Sequence, residues 1–186
     1  MNSRPNIILI GMKSSGKTTV GKLVARKLGL RFTDMDAEVE RLHYQQTAER
    51  LRFREIFQKH GKDYFRKLET AALQAVATAH PERPFVMATG GGLPLAEENR
   101  PLLRNLGIVV FLDVAPDVLL ARIVSRGIPA FFPYPDDPAR SLAELLAVRR
   151  PIYGALAHIT VACRSESQET LADMIIHHLE HRPHDD

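Results

Sequence analysis

Three observations predict an open, parallel α/β sheet folded as one domain. Strand-like apolar runs alternate with helical patterns along the 186 residues. Most of those runs lack polar alternation, as strands covered on both faces do. The first run leads straight into Gly11-Met12-Lys13-Ser14-Ser15-Gly16-Lys17-Thr18, a G-x-x-x-x-G-K-T loop placed between a strand and a helix.

The elements follow in order. Ile7-Ile8-Leu9-Ile10 is the first strand, and Val20, Leu23, Val24 and Leu28 form the apolar stripe of the helix after the loop. Arg31-Phe32-Thr33 is a second strand, which sets Asp34 and Asp36 at the carboxyl edge of the sheet. Asp63 to His80 is helical, with Phe65, Leu68, Ala72 and Leu73 on one side. Phe85-Val86-Met87-Ala88 is the third strand and runs into Thr89-Gly90-Gly91-Gly92. Ile108–Leu112 is the fourth, and Ala115-Pro116 opens a helix with proline in its first turn. Residues 127–138 carry four prolines and three aromatics, cannot be helical, and read as a lid over a binding site. Ser141-Leu142-Ala143-Glu144 has the pattern of a capping box that opens the next helix, with Arg149 at its end before Arg150-Pro151. Ile159–Ala162 is the fifth strand, and a helix with Leu171, Met174 and Ile175 closes the chain. No repeat or linker interrupts this series, so residues 1–186 are read as a single domain.

The chemistry concentrates at the strand ends. In the loop, glycine lets successive N–H groups face one point, where the helix N-terminus adds positive potential. Gly11, Lys13, Ser14, Ser15, Gly16, Lys17, Thr18 and Thr19 are therefore the expected nucleotide-binding residues. Lys17 is expected to reach the β- and γ-phosphates, and the Thr18 hydroxyl to ligate Mg²⁺. Asp34 and Asp36 can divide labour, one near the metal and one accepting the proton of an attacking hydroxyl; the alternative is a helix cap with a solvated neighbour. Arg66 and Glu69 stand three apart on a helix, and by spacing alone they read as a surface ion pair. Gly90, Gly91 and Gly92 permit close backbone approach to a ligand or make an ordinary turn. Arg149 is either a helix-end cation or a substrate clamp, and Arg126 abuts the lid.

Composition narrows the function classes. A net charge of +3 with interspersed signs shows no nucleic-acid stripe. No apolar stretch approaches a membrane span, and the N-terminal run of four residues is too short for a signal peptide. The lone Cys163 excludes an internal disulfide, and a cytoplasmic monomer is expected. The histidines, His177, His178 and His181 among them, lack metal-ligand spacing and read as surface residues.

Taken together, these pieces resemble the shikimate kinase family of small-molecule phosphate-loop kinases. The resemblance runs from Ile7 to about Leu179 and rests on the ordered set of the phosphate loop, Asp34-Met35-Asp36, Phe65-Arg66-Lys67-Leu68-Glu69, Gly90-Gly91-Gly92 and Arg149-Arg150-Pro151-Ile152-Tyr153. It implies a five-stranded sheet in the order 2-3-1-4-5, a shikimate-binding segment at about 36–63 and a lid at about 127–140. It implies ATP and Mg²⁺ as cofactors, with shikimate 3-phosphate and ADP as products. Asp36 would bind and activate the acceptor hydroxyl, and Arg66 and Arg149 would clamp its carboxylate. Gly90, Gly91 and Gly92 would contact it through the backbone. Thr18 and Asp34 would serve the metal, and Arg126 would lie over adenine. The resemblance thus overrides the surface-pair reading of Arg66.

The lid departs from the family, which usually carries Arg-Pro-Leu-Leu there; this chain has Ile128-Pro129-Ala130-Phe131-Phe132. The arginine of such a lid contacts the phosphate in flight. Lys13, Arg126 and Arg140 are the candidate replacements, and Phe131, Phe132 and Tyr134 are expected either to pack over the substrate or to dock a partner protein. Two alternatives stay open: a related kinase for another carboxylate-bearing polyol, and a nucleotide-binding regulator with weak turnover.

Overall fold

The computed structural model describes residues 5–79 and 84–182. Five parallel strands form one sheet: β1 (Asn6–Ile10), β2 (Arg31–Asp34), β3 (Phe85–Ala88), β4 (Gly107–Val114) and β5 (Ile159–Cys163). Their order is β2-β3-β1-β4-β5, as the resemblance implies. Ile8, Leu9 and Ile10 are wholly buried, because β1 is paired on both edges and covered on both faces. β5 lies at an edge, and there alone is the pattern a strict alternation of buried and exposed residues.

Neither neighbour of β1 follows it in sequence, so the chain leaves the sheet in opposite directions on its two sides. A crevice opens at such a switch point, outside the carboxyl ends of the strands. The loop after β1 fills that position and leads into α1 (Lys17–Leu28). Gly16 (φ 96°) turns the chain into α1, and Gly29 (φ 67°) ends it with N–H groups on the Ala25 and Arg26 carbonyls.

Two helices follow β2: α2 (Met35–Thr47) and α3 (Phe53–Thr78). The segment around 36–63 is therefore mostly helical. α3 bends at Gly61, whose φ of 81° is non-helical. It begins ten residues before the expected Asp63, and the expected end at His80 lies outside the described residues. α4 (Asn99–Leu106) precedes β4, and α5 (Pro116–Arg126) opens on its proline as expected.

α6 (Pro138–Leu156) corrects two expectations. It opens at Pro138, capped by the Asp137 side chain accepting from the Arg140 N–H at 3.1 Å. Ser141 is no cap: its buried hydroxyl exchanges hydrogen bonds with the Tyr134 backbone, at 2.9 and 2.8 Å. Nor does the helix stop before Pro151. It continues to Leu156, so Arg149 sits in its interior. α7 (Gln168–Glu180) packs against α1.

The lid residues 127–137 are irregular, with turns closed by Phe132 N–H on the Pro129 carbonyl and Asp137 N–H on that of Tyr134. Phe132 is a core residue that anchors this segment, not a cover for the substrate. His43 likewise departs from the surface reading, being fully buried. No helix of the described residues is long and apolar enough to cross a membrane.

Candidate active site

A cavity of about 420 Å³ occupies the switch point. Its wall brings together the phosphate loop, the start of α2, both halves of α3, the glycine run after β3, the lid and α6. Among the charged lining residues, Lys13, Lys17, Arg54, Arg66, Arg126 and Arg149 outnumber Asp36 and Glu69. Such a wall suits a polyanion.

The loop is built around Lys17. Its buried Nζ donates to the carbonyls of Gly11 (2.9 Å) and Met12 (2.7 Å) and to the Ser15 hydroxyl (3.3 Å). Burial lowers the ammonium to about 8, against the pull of Asp36 and Asp34. Lys13, Ser14, Gly16, Thr18 and Thr19 face the cavity. Gly11 and Ser15 lie behind them and shape the loop. Gly11, at φ 143°, passes so close to β4 that a Cβ would fall 2.9 Å from the Leu112 carbonyl oxygen.

Asp34 is a helix cap that also meets the phosphate loop. One carboxylate oxygen caps α2 by accepting from the Asp36 N–H at 3.0 Å, and the other accepts from the Thr18 hydroxyl at 3.0 Å. The cap thus presents an oxygen pair at the mouth of the loop, donors that suit a hard divalent cation. Asp36 points into the cavity. Burial and the Asp34 charge raise its carboxyl to about 6, opposed by Lys17 and Lys13.

Arg66 and Glu69 form an ion pair on α3, as their spacing suggests, yet it faces the cavity and Glu69 is buried. Burial raises the Glu69 carboxyl to about 7, opposed by Arg66. Arg149 comes from α6 on the other side, buried, with its guanidinium over the Phe131 ring at 4.9 Å. Burial lowers its pKa, and nearby Arg66 adds to that. Arg66 and Arg149 both line the cavity, and together with the lysines they outnumber its carboxylates, which favours an anion there.

Each glycine of the run makes room for a different partner. A Cβ on Gly90 would lie 3.0 Å from oxygens of Asp36 and Glu69, and one on Gly91 would lie 3.2 Å from the Lys13 backbone nitrogen. On Gly92 it would overlap the Arg66 guanidinium. Tyr153, fully buried, donates to the Gly91 carbonyl at 2.5 Å and so fixes the run to α6.

Arg126 lines the outer part of the cavity from an exposed position. Arg140 does not line it. Its guanidinium is paired with Glu144 at 3.1 Å and stacked on Tyr134 at 3.9 Å, away from the cavity lining. Ile128, Pro129, Ala130 and Phe131 make the lid's contribution, while Tyr134 is occupied with Arg140.

Sequence reading did not find Phe53, Arg54, Phe57 or Gln58, which form one wall. The signal available was the basic run Arg50-Leu51-Arg52-Phe53-Arg54, whose inward face shows only once α3 is folded across the glycines.

The shikimate kinase family model matches residues 13–180. A shikimate kinase of Synechococcus sp. (strain CC9605) is 39% identical over 171 residues, covering 92% of this chain and 80% of the relative. That of Caldanaerobacter subterraneus subsp. tengcongensis is also 39% identical, over 92% and 94%. Among solved structures, the Acinetobacter baumannii shikimate kinase in complex with shikimate superposes with a TM-score of 0.81. It shares 35% identity and covers 93% of this chain and 91% of that one. Fold, ordered motifs and relatives agree: the chain belongs to the shikimate kinase family.

Proposed function

We propose that this protein transfers the γ-phosphoryl group of ATP to a hydroxyl of shikimate, giving shikimate 3-phosphate and ADP. The observation that carries the reading is the opening of Lys17, Asp36, Arg66 and Arg149 into one cavity. A donor phosphate on the loop and a carboxylate-bearing acceptor between the arginines would then meet at Asp36.

The residues act as follows. Loop N–H groups of residues 13–18 cradle the phosphates, and Lys17 exchanges the Gly11 and Met12 carbonyls for β- and γ-phosphate oxygens. Thr18 and Asp34 would hold Mg²⁺, which neutralises phosphate charge when bound. Arg66, steadied by Glu69, and Arg149, steadied by Phe131, grip the acceptor carboxylate with planar forks. Asp36 accepts the proton of the acceptor hydroxyl as it attacks in line. Arg126 stacks on the adenine at the open end. The segment about 36–63 supplies the acceptor wall through Phe53, Arg54 and Phe57, and the lid, about 127–140, closes over it through Ile128–Phe131.

A monomer is the working unit in this proposal. A cytoplasmic setting, where ATP is supplied and the thiol of Cys163 stays reduced, belongs to the same proposal.

A coupled ADP-release assay with shikimate, quinate and gluconate tests the reading. Turnover on shikimate alone supports it. The absence of an arginine from Ile128–Phe132 favours a second reading, a related kinase for another carboxylate-bearing polyol, which turnover on another acid would establish. ATP binding without transfer to any acceptor would instead leave a nucleotide-binding regulator.

A further inference from the structure

Outside the cavity, three side chains with metal-ligating chemistry converge where α2, the turn 48–52 and the first half of α3 meet. His43 Nε2 and His60 Nε2 each stand 3.6 Å from Glu49 Oε2. The three donor atoms all lie within 4.8 Å of one another. His43 is fully buried, Glu49 and His60 are partly exposed, and an ion could enter from their side.

The backbone is bent to bring them together. Ala48 takes a left-handed conformation (φ 60°) that is uncommon for a residue with a Cβ, and the chain reverses there so that Glu49 returns to α2. Gly61 breaks the helix immediately after His60, whose ring lies against Tyr64 with centroids 4.6 Å apart.

Both imidazoles turn a ring nitrogen toward the Glu49 carboxylate at the centre of the cluster. Tyr64 Oη is 2.9 Å from His43 Nδ1, so when an ion takes Nε2 the ring can keep its proton on Nδ1 and donate it to Tyr64. Thr47 Oγ1, 3.3 Å from the same Nε2, donates its proton to the His43 carbonyl at 2.8 Å. His60 Nε2 is shielded from solvent and has no hydrogen-bond partner. Lys59 neutralises Glu49 at 2.7 and 2.8 Å, but it is bonded to neither imidazole.

We propose that His43, Glu49 and His60 bind a divalent transition-metal ion of the zinc class. Two imidazoles and a carboxylate are zinc ligands, whereas magnesium and calcium prefer oxygen donors throughout. Zinc–ligand bonds of about 2.0–2.2 Å in a tetrahedron place donor atoms about 3.3–3.6 Å apart, close to the two 3.6 Å separations from Glu49, with the two imidazole nitrogens within 4.8 Å of each other. Lys59 keeps Oε1 and gives up Oε2. The Tyr64 hydroxyl holds the His43 ring in orientation, as outer partners of ligating histidines do. The ion would clamp the end of α2 and the turn to the stretch of α3 that carries Phe53, Arg54 and Phe57 into the cavity. The site is therefore a positioning device for that wall, and its existence does not depend on the phosphoryl-transfer reading.

The test uses the full chain, stripped with chelator and kept free of nucleotide. Titration with Co²⁺ is expected to give one equivalent of a visible d–d spectrum that Zn²⁺ abolishes. Zn²⁺ at about a hundredfold excess over its Kd is expected to raise Tm by about 5–10 °C, and Mg²⁺ at the same concentration is not. His60→Gln and Glu49→Gln, at partly exposed positions, should keep the circular dichroism and ATP binding of the parent while losing both the Co²⁺ spectrum and the Zn²⁺ shift. An unchanged Co²⁺ spectrum in His60→Gln, or no stoichiometric uptake by the parent, would mean a histidine–carboxylate cluster only and would overturn the proposal.

Discussion

Arg66 lies against Gly92 so closely that a Cβ on the glycine would fall 2.0 Å from Nη1. Gly92 has an ordinary φ of −92°, so space, not backbone conformation, demands the glycine. Gly92→Ala should push the guanidinium off its line with the cavity. A charged hydrogen bond is worth about 1.5–3 kcal/mol, so the KM for the acceptor should rise about 10–100-fold with ATP binding unchanged. Steady-state kinetics beside nucleotide titration measures this; an unaltered acceptor KM would detach Arg66 from substrate binding.

The pH dependence of kcat/KM should be bell-shaped. Asp36 acts as a base only when ionised, so activity should fall on the acid side with a midpoint near its value of about 6. Lys17 must be protonated to meet phosphate, so activity should fall again above its value of about 8. Asp36→Asn should lose most turnover and the acid limb with it. A pH–rate profile in the free-enzyme regime decides the point, and a flat profile between 5 and 7 would exclude Asp36 as the base.

The same shift predicts that the site costs stability. The Asp36 carboxyl titrates at about 6 when folded against 3.8 ordinarily, so the unfolded chain gives up its proton first. Stability from this group is full below about pH 4 and is lost as pH rises through 6. Two units correspond to about 3 kcal/mol at most. Asp36→Asn should therefore be more stable than the parent at pH 7, by about 1–3 kcal/mol, with the gap closing toward pH 4. Denaturant midpoints at the two pH values measure it. A variant that is less stable at pH 7 would show that Asp36 is held by favourable contacts instead.

The parallel sheet and the phosphate loop were legible because each is written locally, in apolar runs and in a loop of fixed spacing, whereas the strand order followed only from the family resemblance. Asp34 and Asp36 were legible because β2 ends where they begin. The register of α6 was not. Ser141 to Glu144 has the spacing of a capping box, but Asp137-Pro138 offers an earlier start and Ser141 is taken by Tyr134. Pro151 reads as a stop, yet the helix passes through it, held by buried Tyr153 and Leu156. Arg149 thereby moves from a helix end to the cavity wall. His43 and Arg54 were missed for a common reason: which face of a helix turns inward depends on partners far along the chain.

The Ile128–Phe132 stretch of the lid supplies no arginine, so another cation must meet the charge on the transferring phosphoryl group if turnover is fast. Arg140 is committed to Glu144 and Tyr134, and Arg122 reaches only the Ser14 carbonyl, at 3.4 Å. Lys13 is better placed. It lines the cavity beside the loop, 5.3 Å from the Phe53 ring centroid, and burial with neighbouring Arg54 lowers its pKa, offset by Asp36. An arginine in this role contributes about 10³–10⁵ in rate, and a lysine point charge should contribute less. Lys13→Ala should therefore lower kcat about 10²-fold or more with a smaller effect on KM, whereas Arg140→Ala should stay within about twofold, as surface pairs do. The comparison of kcat in the two variants is the measurement. Equal, near-parental turnover in both would transfer the role to Arg54 or Arg126, the remaining cations on that side of the cavity.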